Sequence, residues 1–210
     1  MRSTPSIAAG WLIMTLVMSP LNRAAAEAYW YPGPSQGVIG EVRHVKAAYE
    51  DTLLDIGRRH GLGYTEMVSA NPDVDIWLPG TGREVRVASE FVLPDAPREG
   101  IVINLAEYRL YYYGMIDEGV VLTFPISIGK MDWQTPLGRT SIVRKQRNPT
   151  WYPPKSVLAE YAAEGRPLER VVPPGPDNPL GDYAMRLGLP GYLIHGTNRP
   201  AGVGMRVTHG

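Results

Sequence analysis

Residues 191–210, GYLIHGTNRPAGVGMRVTHG, gather the groups best suited to chemistry. The apolar run GYLIH reads as a strand that delivers His195 to its end. In such a strand Leu193 and His195 share one face, and Tyr192 and Ile194 share the other. An imidazole in that position can accept and return a proton near neutral pH. Gly196, Gly202 and Gly204 allow the backbone to approach a bound molecule closely, and Thr208, His209 and Gly210 follow as a tight group. A lone histidine at a strand end is also a common structural feature, so the residues by themselves leave both roles open. No nucleophile accompanies the histidines, because the sequence contains no cysteine and no GxSxG.

Composition narrows the classes. The 210 residues are 44% apolar, which is enough for a core and argues against wholesale disorder. The formal charge is zero at pH 7, without the basic excess that nucleic-acid binding requires. Absence of cysteine excludes a disulfide framework and a thiolate-held zinc. His44, His60, His195 and His209 are scattered with no HExxH, so a metal enzyme is not expected. At the N-terminus, MRSTPS carries one arginine, IAAGWLIMTLVM is an apolar run, and RAAAEA offers small residues at cleavage spacing. This is the pattern of a secretory signal peptide over 1–26, cleaved after Ala26 or Ala28. The alternative is a membrane anchor, but a spanning helix needs about 20 apolar residues and this run is shorter. Without Arg2 and Arg23 the remainder carries 19 basic against 21 acidic residues. A soluble, cysteine-free exported protein suits a bacterial periplasm, with no stable membrane span after cleavage.

The elements that must position the histidines follow a change of texture along the chain. Residues 27–40, rich in Pro, Gly and aromatics, read as a linker or extended arm. Residues 41–88 read as strand, helix, helix, strand. Asp51 or Thr52 caps the first helix, Gly61 ends it, Thr65 caps the second, and Asn71-Pro72 breaks it. A unit this small is marginal by burial alone. Residues 89–97 read as a Pro-containing hinge. Beyond it, IVINL, YRLYYY, VVLTFPISIG and RTSIVRK are strand-like, which predicts a β-rich domain of sandwich type over 98–210. NPTWYPPKSV and VVPPGPDNPLG are long Pro-rich loops of the sort that cover sites, with one helix between them in KSVLAEYAAEG. The fold class is α+β, mostly β.

Two resemblances sharpen this. Asp51-Thr52-Leu53, Ile56, Gly61, Asn71-Pro72 and LPGTGREVRV make residues 41–88 resemble a LysM module, with Glu50 standing where that family has glycine. The resemblance implies binding of N-acetylglucosamine-containing glycans through the loops before the first helix and after the second, with Asp51, Thr52, Asn71 and Pro72 as candidate contacts. The plain alternative is a βααβ linker without a ligand. Residues 92–210 resemble the L,D-transpeptidase catalytic domain of the YkuD fold, in its ErfK/YbiS branch. The resemblance is carried by LPDAPREGIVINLAEYRLYYY, TPLGRT, NPTWYPP, PPGPDNPLGDYAMRL and HGTN.

That family closes its site with Ser/Thr-His-Gly-Cys-Ile-Arg, and this sequence supplies Thr208-His209-Gly210. The nucleophilic cysteine would come next, so the chain reads as cut one residue short of it and inactive as it stands. The resemblance implies His195 as general acid/base and Thr208, His209 and Gly210 as turn and oxyanion support. Gly196, Thr197, Asn198 and Arg206 become substrate contacts. The implied partner is peptidoglycan: a tetrapeptide stem as acyl donor, with another stem or a lysine of an anchored lipoprotein as acceptor. Water as acceptor would make a carboxypeptidase. No cofactor or metal is implied. The reading from another class is a wall-binding protein without catalysis, or a truncated product without function.

Overall fold

The computed structural model describes residues 27–31, 33, 37–114, 119–131 and 133–209. The leader expected over 1–26 therefore lies outside the described residues. Among the described residues no helix is long and apolar enough to cross a membrane.

The small unit pairs strand β2 (Val38–Lys46) antiparallel with β3 (Glu84–Val92), with helices α1 (Leu53–Arg59) and α2 (Tyr64–Ala70) between them in sequence. Its helices start for identifiable reasons. The Thr52 hydroxyl accepts from the Asp55 backbone N–H at 3.0 Å, and the Asp55 carboxylate accepts back from the Thr52 N–H at 3.0 Å. This reciprocal cap makes Thr52, not Asp51, the cap residue of α1. α2 starts at Gly63, whose N–H is taken by Glu66 at 2.7 Å. Thr65 is therefore inside the helix rather than its cap.

Two boundaries move. Glu27–Trp30, expected within a linker over 27–40, forms β1 and pairs antiparallel with β6 (Val120–Pro125). β2 already begins at Val38. The hinge expected over 89–97 starts too early, because the inward alternation of β3 continues through Ser89 and Phe91, both buried.

The remaining strands divide among three sheets. β1, β6, β5 (Arg109–Tyr113) and β4 (Gly100–Asn104) form one sheet in that order. β8 (Ile142–Arg147), β9 (Tyr183–Leu187) and β10 (Leu193–His195) form the second, with β9 central. β7 (Ile128–Gly129) pairs in parallel with β11 (Arg206–Thr208). Helix α3 (Lys155–Ala163) lies between β8 and β9 in sequence. The chain is mostly β, as expected.

One apolar cluster joins the two halves. Ile39, Leu53, Ile56, Met67, Val85, Val87 and Phe91 of the small unit pack together with Tyr111, Tyr113 and Val121 of β5 and β6. The βααβ unit thus does not rely on its own burial, because the four-stranded sheet completes its core. At the centre of this seam Arg109 is fully buried. Its Nε and one Nη donate to the Glu66 carboxylate at 2.7 and 2.8 Å. The other donors reach Thr123 Oγ1 at 3.0 Å and the Gly61 carbonyl at 2.8 Å, and the guanidinium lies 3.9 Å from the Phe91 ring centre.

Tyr113 is different. Its hydroxyl is buried with no hydrogen-bond partner among the described residues, and burial raises its pKa above the ordinary phenol value. An unpartnered buried hydroxyl costs about 1–3 kcal/mol. Tyr113→Phe is accordingly expected to unfold at the same or higher urea concentration than the parent. A clear loss of stability would mean that the hydroxyl is satisfied in solution.

Candidate active site

His195 ends β10, where its Cα pairs with Ala184 of β9. Its Nδ1 lies 2.6 Å from the Gly196 carbonyl oxygen. A carbonyl only accepts, so Nδ1 is the donor and carries the proton, which leaves the Nε2 lone pair to act as a base. The side chain is exposed at its edge but set in crowded surroundings. Desolvation lowers its pKa below the ordinary imidazole value, and the contact with Gly196 works in the other direction. Neutral imidazole is the form a general base needs.

The turn after His195 is fixed from beneath. The Gly196 N–H donates to the Tyr183 carbonyl at 2.9 Å. Gly181 lies under this turn with φ +63, and a Cβ there would come within 2.7 Å of the Thr197 nitrogen, so only glycine fits. The Thr197 hydroxyl accepts from the Arg199 N–H at 2.9 Å, which commits it to holding the loop. Asn198 is half-buried beside it.

The two Pro-rich loops are stitched together by Asn178, which is fully buried. Its amide donates to the carbonyls of Pro149, Val172 and Pro173 at 2.8, 3.3 and 3.1 Å, and its side-chain oxygen accepts from Leu180 N–H at 2.9 Å. Trp151 and Val172 form a bridge, and Asn148 N–H donates to the Asp182 carbonyl at 2.7 Å. Asn178 belongs to the quoted PPGPDNPLG segment, yet its central place escapes a reading of the sequence. Its only advance signal is an amide set among prolines, which lack N–H groups and leave carbonyls to be satisfied.

Thr208 ends β11, on a different sheet from His195, and His209 follows it. The Thr208 carbonyl accepts from Lys130 N–H at 3.0 Å, continuing the β7–β11 pairing. His209 Nε2 is 3.0 Å from a Glu160 carboxylate oxygen, and the other oxygen accepts from Lys130 Nζ at 2.8 Å. Trp133 and Tyr161 frame the His209 ring at centroid distances of 5.4 and 6.1 Å. His209 is therefore held against α3 through Glu160 and beside Lys130, the residue that follows β7. An Arg206 Nη donates to the Gly129 carbonyl at 3.3 Å. Gly210 lies outside the described residues. The structure thus brings Gly196, Thr197 and Asn198 together with His195, and Arg206, Thr208 and His209 together in a second group.

Of the four candidate glycan contacts, Asp51, Thr52 and Asn71 have hydrogen-bond partners within the chain. Asp51 pairs with Arg59 at 2.7 Å and accepts from Ala48 N–H at 2.8 Å. Thr52 is the cap described above. Asn71 is buried, with its amide donating to the Met67 and Arg86 carbonyls at 2.9 Å each and its oxygen accepting from Arg86 N–H at 2.7 Å. These polar atoms are used within the chain, as turn and cap residues are. Pro72 is exposed. The same loops instead expose Tyr49, Trp77 and Leu78. The backbone bond from Leu53 N–H to the Ile76 carbonyl, 2.8 Å, holds the Trp77 loop against the start of α1. Among the described residues no three His, Asp or Glu side chains gather as metal ligands.

The lowered pKa of His195 has a consequence for stability. The unfolded chain takes up this proton first as pH falls, so the contribution of neutral His195 is complete above about pH 6.5 and is lost on acidification toward its lower folded value. His60, lowered chiefly by burial, acts in the same direction. His195→Gln should therefore show a smaller drop in melting temperature between pH 7 and pH 5 than the parent. An identical drop in both proteins would place the His195 pKa at its ordinary value.

The profile of the YkuD family, the L,D-transpeptidase catalytic domain, matches residues 98–210. The probable L,D-transpeptidase YcfS of Escherichia coli strain K12 is 43% identical over 192 residues, covering 88% of this chain and 60% of that protein. The probable L,D-transpeptidase YbiS of the same strain is 42% identical, covering 89% of this chain and 62% of that protein. The putative L,D-transpeptidase YkuD of Bacillus subtilis strain 168 is 26% identical, covering 76% and 79%. The chain spans about three-fifths of the length of YcfS and YbiS. A histidine freed at Nε2 by its own backbone contact, on a turn that only glycine can underlie, is thus set in a sequence matched by this profile over more than half its length, and the chain belongs to the YkuD family of L,D-transpeptidase catalytic domains.

Proposed function

We propose that this protein serves peptidoglycan L,D-transpeptidation in the periplasm, with His195 as the acid–base group and the βααβ unit as the wall-binding element. The observation that carries this reading is His195, neutral at Nε2 at the mouth of the HGTN turn. A thiol needs such a partner, because its ordinary pKa of about 8.5 leaves little thiolate at neutral pH. In the proposed reaction of the family, His195 takes the proton of a cysteine thiol of the Thr-His-Gly-Cys type of segment. The thiolate adds to the carbonyl at the L-centre of diaminopimelate in a tetrapeptide stem. Collapse of the tetrahedral intermediate breaks the peptide bond, and the departing D-alanine amine takes the proton back from His195. The resulting thioester passes its acyl group to an amine and regenerates the thiol. N–H groups of the 208–210 turn serve the oxyanion. The acceptor is a second stem or a lipoprotein lysine.

Tyr49 and Trp77, exposed on neighbouring loops of the βααβ unit with the apolar Leu78 beside Trp77, support glycan binding there, since sugars stack on exposed aromatic rings. The export signal over 1–26 would place the chain at its substrate. Two experiments test this. A chain continued by a family-type segment beginning Cys-Ile-Arg should release D-alanine from a tetrapeptide stem, whereas the 210-residue chain should release none. The 210-residue chain should co-sediment with insoluble peptidoglycan, with Trp77→Ala reducing the bound fraction several-fold. Absence of sedimentation would leave the βααβ unit a structural support.

A further inference from the structure

The three-stranded sheet carries two arginines set directly opposite one another. Arg144 of β8 and Arg186 of β9 are direct cross-strand partners, and Leu193 of β10 completes their row. Directly opposed side chains on an antiparallel pair have Cβ atoms about 5 Å apart, and like charges so placed repel. Both arginines are exposed, and neither has an ion pair or side-chain hydrogen bond among the described residues. Among the cations that do have carboxylate partners are Arg109 with Glu66, Arg59 with Asp51, Arg58 with Asp55 and Lys130 with Glu160.

Register places this pair on the face of His195. Gln146, Ala184 and His195 form one row across the sheet, and Arg144, Arg186 and Leu193 form the row two residues along. Rows two residues apart point to the same face. Between them, the row of Lys145, Met185 and Ile194 faces the other way. Two steps along a strand span about 7 Å. Within the His195 row, the β9 residue between Gln146 and His195 is Ala184, whose side chain is a single methyl group.

We infer that Arg144 and Arg186 together bind a carboxylate that lies about 7 Å from the carbonyl attacked beside His195, and that this carboxylate is the distal one of the diaminopimelyl residue. This rests on the stem-peptide reading proposed above. Two guanidinium groups converging on one carboxylate satisfy both its oxygens and remove their mutual repulsion. The two carboxyl carbons of diaminopimelate are joined by six single bonds of about 1.5 Å, which reach about 7–8 Å when extended. The carboxylate of the departing D-alanine sits much nearer the attacked carbonyl and does not fit this spacing. The pair would therefore select the diaminopimelyl stem over one carrying lysine, which has the same chain and amine but no second carboxylate.

The test is a titration of the 210-residue chain, followed by backbone NMR. One ligand is L-alanyl-γ-D-glutamyl-meso-diaminopimelyl-D-alanine and the other is the same peptide with L-lysine at the third position. The diaminopimelyl peptide should bind at least about tenfold more tightly, as expected for a charge-assisted bidentate contact. Arg144→Gln and Arg186→Gln should each bring its affinity down toward that of the lysine peptide while leaving the lysine peptide unchanged. Both positions are exposed, and removing one of two like charges should leave the melting temperature the same or slightly higher while these losses occur. Equal affinity for the two peptides, or an equal loss for both in the variants, would overturn the arginine site while leaving the stem-peptide reading intact. Binding of neither peptide would overturn that reading, and the arginine site with it.

Discussion

Glu66→Ala is expected to cost about 3–5 kcal/mol of unfolding free energy, the range for removing one partner of a buried ion pair. Arg109 is fully buried, and Glu66 gives it both carboxylate oxygens. Without Glu66 the guanidinium keeps only Thr123 and the Gly61 carbonyl, and its charge remains uncompensated in an apolar seam. The Gly63 N–H at the start of α2 loses its acceptor as well. The effect should reach both halves of the chain, because the seam joins α2 to β5. Urea unfolding followed by tyrosine fluorescence and by far-UV circular dichroism should give one coincident, shifted transition. The double change Glu66→Leu with Arg109→Met should recover much of the loss, since a matched apolar pair carries no stranded charge. A loss below about 1 kcal/mol for Glu66→Ala would place the pair in contact with water.

His195→Ala, made in a chain continued through Cys-Ile-Arg, is expected to lower the rate of D-alanine release by about 10²–10⁴-fold, the usual worth of a positioned acid–base group. The same continued chain carrying His209→Ala should lose less. His209 is held by Glu160 and framed by Trp133 and Tyr161, which suits a residue that shapes the turn. The acidic limb of kcat/KM should fall with the His195 pKa, below the ordinary imidazole value. Full activity in His195→Ala together with loss in His209→Ala would exchange the two roles.

The His195 strand is legible in the sequence because its signals are local: an apolar run, a histidine, then Gly-Thr-Asn. The two helices are legible from spacing and from Thr52 as a cap. What escapes depends on partners far along the chain. Glu66 and Arg109 are 43 residues apart, and nothing in either segment names the other. Glu27–Trp30 is a strand because β6 offers it an open edge, and aromatic residues beside Pro and Gly read equally well as an arm. A boundary at residue 88 overlooks an alternation that Ser89 and Phe91 plainly continue. Asp51 and Asn71 are candidate sugar contacts only through the resemblance to a LysM module. In the structure their hydrogen-bonding capacity is spent on Arg59, Ala48, Met67 and Arg86. The exposed Tyr49, Trp77 and Leu78 have no periodic signal to mark them.

The most direct test of His195 as the proton carrier for a cysteine acyl-enzyme is intact mass of the continued chain after brief incubation with the tetrapeptide stem. An adduct equal to the stem without D-alanine is expected on the added cysteine, lost on treatment with hydroxylamine, and formed far more slowly in His195→Ala. Release of D-alanine without any adduct in a variant whose added cysteine is replaced by serine, or an adduct formed at the same rate without His195, would contradict it.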